Sequence, residues 1–237
     1  LEPMIFEGRC LHNMETRILE LLAILRKAAN EIDLDIVLTG ILPTIRKIDL
    51  TLENLTPIER YRALCEALKK LRGTDHLELK IDGIDELMTR HDSPLMEGCN
   101  TGFQVHLQVK PDEFVEKYNI AQAIAGPALA CATNSPILFN RRLWHETRIA
   151  LFQQSVDVRT AGDNLRNRSA RVMFGDSWVK KSILEIYQED IMRFKVLLGS
   201  TNESKDPFKE LAHGRIPSLD HLLVPVSYTH LTLPTSY

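Results

Sequence analysis

The chain has 237 residues and a formal net charge of -3, with 29 Lys plus Arg set against 32 Asp plus Glu. That near balance argues against a general nucleic-acid binder, whose domain would be strongly basic, and no apolar run reaches the length of a membrane span. Apolar residues make up 44% and charged residues 26%, an ordinary mixture for a globular protein large enough to bury a core without disulfide or metal staples.

Met14, Ile18, Leu21, Leu25, Ala28 and Ile32 recur at helical spacing, and Asn13 is suited to cap the helix they predict. Asp35–Gly40 follows as a short apolar run expected to form a buried strand, closed by Pro43. Thr56-Pro57-Ile58-Glu59 reads as a helix start, with a stripe through Ile58, Tyr61, Leu64, Leu68 and Leu71. The period then changes to two. Leu77, Leu79 and Ile81 alternate with charged residues, and Asp82-Gly83 predicts a turn into a second strand at Glu86–Arg90.

After Asp92–Pro94, Gly102–Val109 alternates strictly, so a strand would place Phe103, Val105, Leu107 and Val109 on one face and Gln104, His106 and Gln108 on the other. Three neutral groups able to ligate metal or donate hydrogen bonds suit the floor of a site, with Glu97, Cys99, Asn100 and Thr101 extending it upstream. The same alternation also suits a half-exposed strand with no ligand. A helix is predicted from Pro111 to about Cys131, bent or interrupted at Gly126-Pro127, then a loop at Asn134-Ser135-Pro136. Trp144–Gln154 reads as helix or irregular structure, Arg159–Phe174 as a polar loop, and Ser177 or Ser182 to Leu198 as a last helix. Antiparallel strands beside packed helices make the fold class α+β.

His91-Asp92-Ser93 suggests a turn rather than a hydrolase triad, since consecutive residues do not converge in triad geometry. No phosphate loop of the Walker or dinucleotide type is present. Arg141, Arg142 and Arg148 offer guanidinium forks for phosphate or carboxylate, or else a charged helix face. The cysteines, Cys10, Cys65, Cys99 and Cys131, are widely spaced, which suits reduced thiols and a cytoplasmic location.

The block Glu97-Gly98-Cys99-Asn100-Thr101-Gly102-Phe103-Gln104-Val105-His106-Leu107-Gln108-Val109, followed by a helix, Asn134-Ser135-Pro136 and the run Arg141–Gln154, resembles the glutamate–cysteine ligase and carboxylate–amine ligase superfamily. It looks closest to a bacterial branch whose members can carry regulatory CBS modules. The resemblance spans Leu1 to about Leu198. It implies a glutamine-synthetase-like curved antiparallel sheet backed by helices, and a ligase-like domain over residues 1–199. Residues 200–226 would be a linker or the start of a further region, and 227–237 a non-native read-through, with the family's first strand and its Glu-x-Glu pair expected upstream of Leu1.

The resemblance also implies the chemistry. ATP and magnesium would convert a carboxylate into an acyl phosphate, which an amine attacks, so the partners are a small amino acid and an amine, with self-association left open. His106 matches the second His of the family's His-x-His pattern, and Gln104 stands at the first. Glu97, Gln104 and His106 are then the expected metal ligands; His106, Gln108, Asn134 and Ser135 the nucleotide contacts; Asn100, Thr101 and Arg142 the substrate contacts; and Arg148 the catalytic arginine. Gln104 in place of His motivates an alternative, a catalytically silent domain that binds nucleotide or amino acid as a sensor.

Overall fold

A computed structural model describes residues 11–54, 57, 59–74, 76–91, 94–102, 105, 107–159, 170–194 and 207–216. The chain divides into two units, Leu1–Thr39 and Gly40–Tyr237.

In the first unit the predicted helix forms as α1, Leu11–Asn30. Met14, Ile18 and Leu21 are half-buried along it, whereas Leu19 and Ile24 are exposed. Lys27 in the last turn complements the helix dipole. Asp33 adopts a left-handed φ of 58°, and the Leu34 amide closes back on the Ala29 carbonyl at 3.0 Å, which ends the helix. The buried strand expected at Asp35–Gly40 does not form. Among the described residues this stretch joins no ladder, and Val37 and Leu38 are exposed.

In the second unit the alternating segments form the hairpin that the sequence predicts. Strand β1, Leu77–Asp82, pairs antiparallel with β2, Glu86–His91, in the register Leu77↔His91 to Asp82↔Glu86. Leu77, Leu79 and Ile81 turn inward while Glu78, Lys80 and Asp82 face out. Burying one face of a period-two pattern is what fixes this register.

The hairpin tip docks on a smaller hairpin, β3 at Ile137–Leu138 and β4 at Arg141–Arg142, that the sequence reading missed. Its two-residue turn, Phe139-Asn140, has φ of 49° and 64°, as a primed turn requires. Gly83 lies flush against β4's continuation: a Cβ there would fall 2.4 Å from Leu143 Cα. The Asp85 amide donates to the Arg142 carbonyl at 2.7 Å, and the Arg142 amide donates to Asp85 Oδ2 at 2.8 Å.

Helix α2, Glu59–Arg72, follows the predicted stripe and buries Cys65 and Leu68. Helix α3, Phe114–Cys131, runs without the expected interruption at Pro127. Pro127 forgoes one helical bond, to the Ala123 carbonyl, and the helix continues past it to Cys131. Helix α4, Thr147–Ser155, crosses the outer edge of β1. There Gln154 acts as a strand mimic, accepting the Lys80 amide at 2.9 Å and donating to the Lys80 carbonyl at 2.8 Å.

Arg72, the last residue of α2, closes the C-terminal end of α4 by donating to the carbonyls of Ser155 and Asp157 at 3.0–3.1 Å. A cation at helix-terminal carbonyls is favourable. Burial nevertheless lowers the Arg72 pKa, with Asp157 opposing.

Asn119 of α3 clasps both backbone groups of Val179. Helix α5, Leu184–Arg193, begins where Glu185 accepts the amides of Lys180, Lys181 and Ser182. Helix α6 is Pro207–Ala212.

The core joins the inner face of β1 and Leu87 to Ile41, Met96, Cys99, Leu138, Leu143 and Leu151. Mixed helices and small antiparallel sheets make the fold α+β.

Among the described residues of the segment, the strand expected at Gly102–Val109 is not seen. Phe103, Gln104 and His106 lie outside the described residues. Gly102, Val105 and Leu107–Val109 carry no ladder, and Val105 and Leu107 are 67% and 70% exposed. Alternation supplies a face, but a strand also needs a neighbour to take its backbone groups.

Candidate functional site

The Asn134-Ser135-Pro136 loop emerges from α3 and runs beside the approach to α4. The Ser135 amide donates to the His145 carbonyl, and the Thr147 amide donates to the Ser135 carbonyl, each at 3.2 Å, a parallel bridge between Ser135 and Glu146. This brings side chains eleven to thirteen residues apart into contact.

Glu146 sits at the N-cap of α4, yet its carboxylate does not cap that helix. It turns instead to the loop, accepting the Asn134 amide at 3.1 Å, the Ser135 hydroxyl at 3.0 Å and Nε of Arg148. Ser135 Oγ in turn accepts the Arg148 amide at 3.3 Å. Nη1 of Arg148 donates to the Thr101 carbonyl.

Two more bonds close a ring. The Thr101 amide donates to the Gly40 carbonyl at 2.8 Å, and the Gly40 amide donates to the Asn134 carbonyl at 3.1 Å. The circuit thus passes through Gly40, Asn134, Glu146, Arg148 and Thr101.

Ser135 and Thr147 are fully buried and Glu146 is 3% exposed. Burial pushes the Glu146 carboxyl up, but hydrogen bonds from Arg148, Asn134 and Ser135, with the Arg148 charge, outweigh it and hold the pKa below its ordinary value. The Arg148 side chain is 20% exposed. Among the described residues, no acceptor is bonded to its Nη2, so the guanidinium retains donors for an external oxyanion.

Beside the ring, the turn Pro94–Cys99 carries Glu97, and Asn100 pairs with Ile41. Burial raises the Glu97 pKa, and no donor among the described residues bonds its carboxyl. Burial foremost, with the Glu97 charge, pushes the Cys99 thiol up to about 12. Asn100 Oδ1 is buried with no partner among the described residues. The Glu97 carboxyl and the Asn100 Oδ1 are therefore acceptors with no donor among the described residues.

Of the expected site residues, the structure brings together Asn134, Ser135, Thr101 and Arg148, with Asn100 and Glu97 adjacent along the chain. Arg142 stands apart. Its exposed guanidinium pairs with Asp85 at the hairpin tip, and this hydrogen bond lowers the Asp85 pKa. Gln108 is exposed and outside the ring. Gln104 and His106 lie outside the described residues, and among the described residues no three His, Cys, Asp or Glu side chains form a metal-binding group.

Sequence reasoning missed Glu146 and Gly40. One signal was available for Glu146, a carboxylate two residues before the arginine inside an otherwise basic run. Gly40 gave only a glycine closing an apolar stretch.

No curated protein matches the chain, and no solved structure does. One family model matches residues 2–180, that of glutamate-cysteine ligase family 2 (GCS2). The match takes in the Glu97–Thr101 turn, the Asn134–Ser135 loop and the Glu146–Arg148 approach to α4, and on it the chain belongs to glutamate-cysteine ligase family 2.

Proposed function

We propose that this chain is the ligase-like part of an ATP-dependent carboxylate–amine ligase, joining glutamate or a similar amino acid to an amine through an acyl phosphate. The observation that carries the reading is Arg148, braced by Glu146 and the Thr101 carbonyl with its Nη2 edge left for an oxyanion. A fixed guanidinium aimed at developing negative charge is the kind of pre-organised donor that acyl and phosphoryl transfer require.

Magnesium would be held by Glu97 with Gln104 and His106. The acceptor-only character of Glu97 and of the orphaned Asn100 Oδ1 suits a hard cation. ATP, when bound, supplies the phosphoryl group that activates the carboxylate. Arg148 then holds an oxyanion in place, Asn134 and Ser135 keep that arginine's support rigid, and Asn100 and Thr101 border the same edge. In this reading β1 and β2 belong to the glutamine-synthetase-like curved sheet. The buried free thiol of Cys99 suits a reducing compartment such as the cytoplasm.

The test is ADP release by the purified protein across a panel of amino acids and amines. Amine-dependent release that falls about a hundredfold in Arg148→Gln supports the proposal. No amine-dependent release with any pair overturns it. Gln104 at the family's His position favours one second reading, a sensor that binds nucleotide or amino acid without turnover. Calorimetry showing tight binding with no ADP release would select it.

A further inference from the structure

We infer that Glu146 is a positioning residue, acting through Arg148 to aim the arginine's unengaged Nη2 at the oxyanion of one substrate, a carboxylate or a phosphoryl group. The inference rests on the ligase reading and deepens it. A residue at a helix N-cap ordinarily turns its side chain to that helix's amides. Glu146 turns away from them and spends both oxygens elsewhere: Oε2 on the Asn134 amide, Oε1 on the Ser135 hydroxyl and Arg148 Nε.

The division of labour between the two oxygens matters. All the groups facing Glu146 are donors, so both of its oxygens must accept. Glutamine presents one acceptor and one donor. In Glu146→Gln, either Asn134 or Arg148 must therefore face an NH2 group, and the arginine side chain is the part free to move. Fixing Nε and Nη1 leaves the guanidinium plane with no freedom to rotate, and the remaining Nη2 points where the brace dictates. Gly40 completes the seat, since a Cβ there would fall 2.6 Å from Arg148 Nε. A free arginine binds anions wherever they approach, whereas a braced one binds them in one place.

The experiment measures calorimetric affinity for glutamate alone and for a non-hydrolysable ATP analogue with magnesium, beside ADP release. Wild type, Glu146→Gln, Arg148→Gln and the double variant are compared. Glu146→Gln is expected to weaken the same one of the two ligands that Arg148→Gln weakens, by about tenfold or more, and to leave the other within roughly twofold. Whichever ligand responds identifies the oxyanion as carboxylate or phosphoryl. The double variant is expected to bind no more weakly than Arg148→Gln alone, because a residue acting through another adds nothing once that other is gone.

A folded Glu146→Gln with both affinities at the wild-type level overturns the inference, as do losses that multiply in the double variant or fall equally on both ligands. If Glu146→Gln does not fold, Glu146→Asp keeps the charge but withdraws it by one methylene. The same ligand-selective loss is then expected, and unchanged affinity overturns the inference. Amine-dependent ADP release that is indifferent to residue 146 sinks this inference alone. Glu146-dependent binding without ADP release sinks the ligase reading alone.

Discussion

Gly40 and Arg148 approach so closely that a Cβ on the glycine would fall 2.6 Å from Nε and 2.8 Å from Cδ of the arginine, and 2.5 Å from Oδ1 of Asn134. Gly40 has no positive φ, so space alone demands glycine here. Gly40→Ala is expected to cost about 1–3 kcal/mol of stability, the usual penalty of overpacking, as read from urea denaturation. The loss should reach ligand binding too, because the atom displaced is the one that Glu146 holds.

The Glu146–Arg148 pair predicts an unusual order of stabilities. Arg148→Gln leaves a buried carboxylate with two neutral donors and no cation, which should cost about 2 kcal/mol, less than the loss expected for a fully buried pair because the arginine is one-fifth exposed. Adding Glu146→Gln removes the stranded charge. The double variant is therefore expected to unfold at a higher denaturant midpoint than Arg148→Gln alone.

Acid should act on Glu97 and Glu146 with opposite sign. The Glu146 pKa is lowered in the fold, so its ionised form contributes stability above the ordinary carboxylate pKa of about 4.3, lost as pH falls through the depressed value. The Glu97 pKa is raised by burial, so its contribution is complete below about 4.3 and lost as pH rises through the raised value. At neutral pH without metal, Glu97→Gln should raise the denaturant midpoint and Glu146→Gln should lower it. Both differences should shrink as the pH is taken well below the carboxylate range.

Cysteine labelling offers a check on the core. Cys131 is exposed and Cys99 is buried with its thiol pushed up to about 12. At mildly alkaline pH Cys131 should react with a thiol reagent at once, while Cys99 should react only after denaturant is added. Fast labelling of Cys99 in the native protein would contradict the packing of Ile41, Met96 and Cys99.

The β1–β2 hairpin was legible because two signals agreed, strict alternation in Leu77–Ile81 and a turn dipeptide at Asp82-Gly83. The helices α1 and α2 were legible from their apolar stripes. The small hairpin was not, since strands of two residues are too short to show a period. The Gly102–Val109 segment shows the converse, a clear period whose described residues have no partner strand.

The family resemblance singles out Asn134, Ser135 and Arg148 one by one. Their closure into a ring could not be read from the sequence. It depends on Gly40, almost a hundred positions away from Asn134 along the chain, and on a backbone bridge that places Ser135 beside Glu146. No local pattern in one sequence encodes such a meeting.

Lys80 and Gln154 give the β1–β2 sheet a direction of growth. An incoming strand on the outer edge of β1 would need the amide and carbonyl of Lys80, and both are taken by the Gln154 side chain. Recruitment along that edge requires α4 to let go first, which would also loosen the approach that carries Arg148. Further strands are steered to the β2 side, and self-assembly through β1 is blocked by a single glutamine.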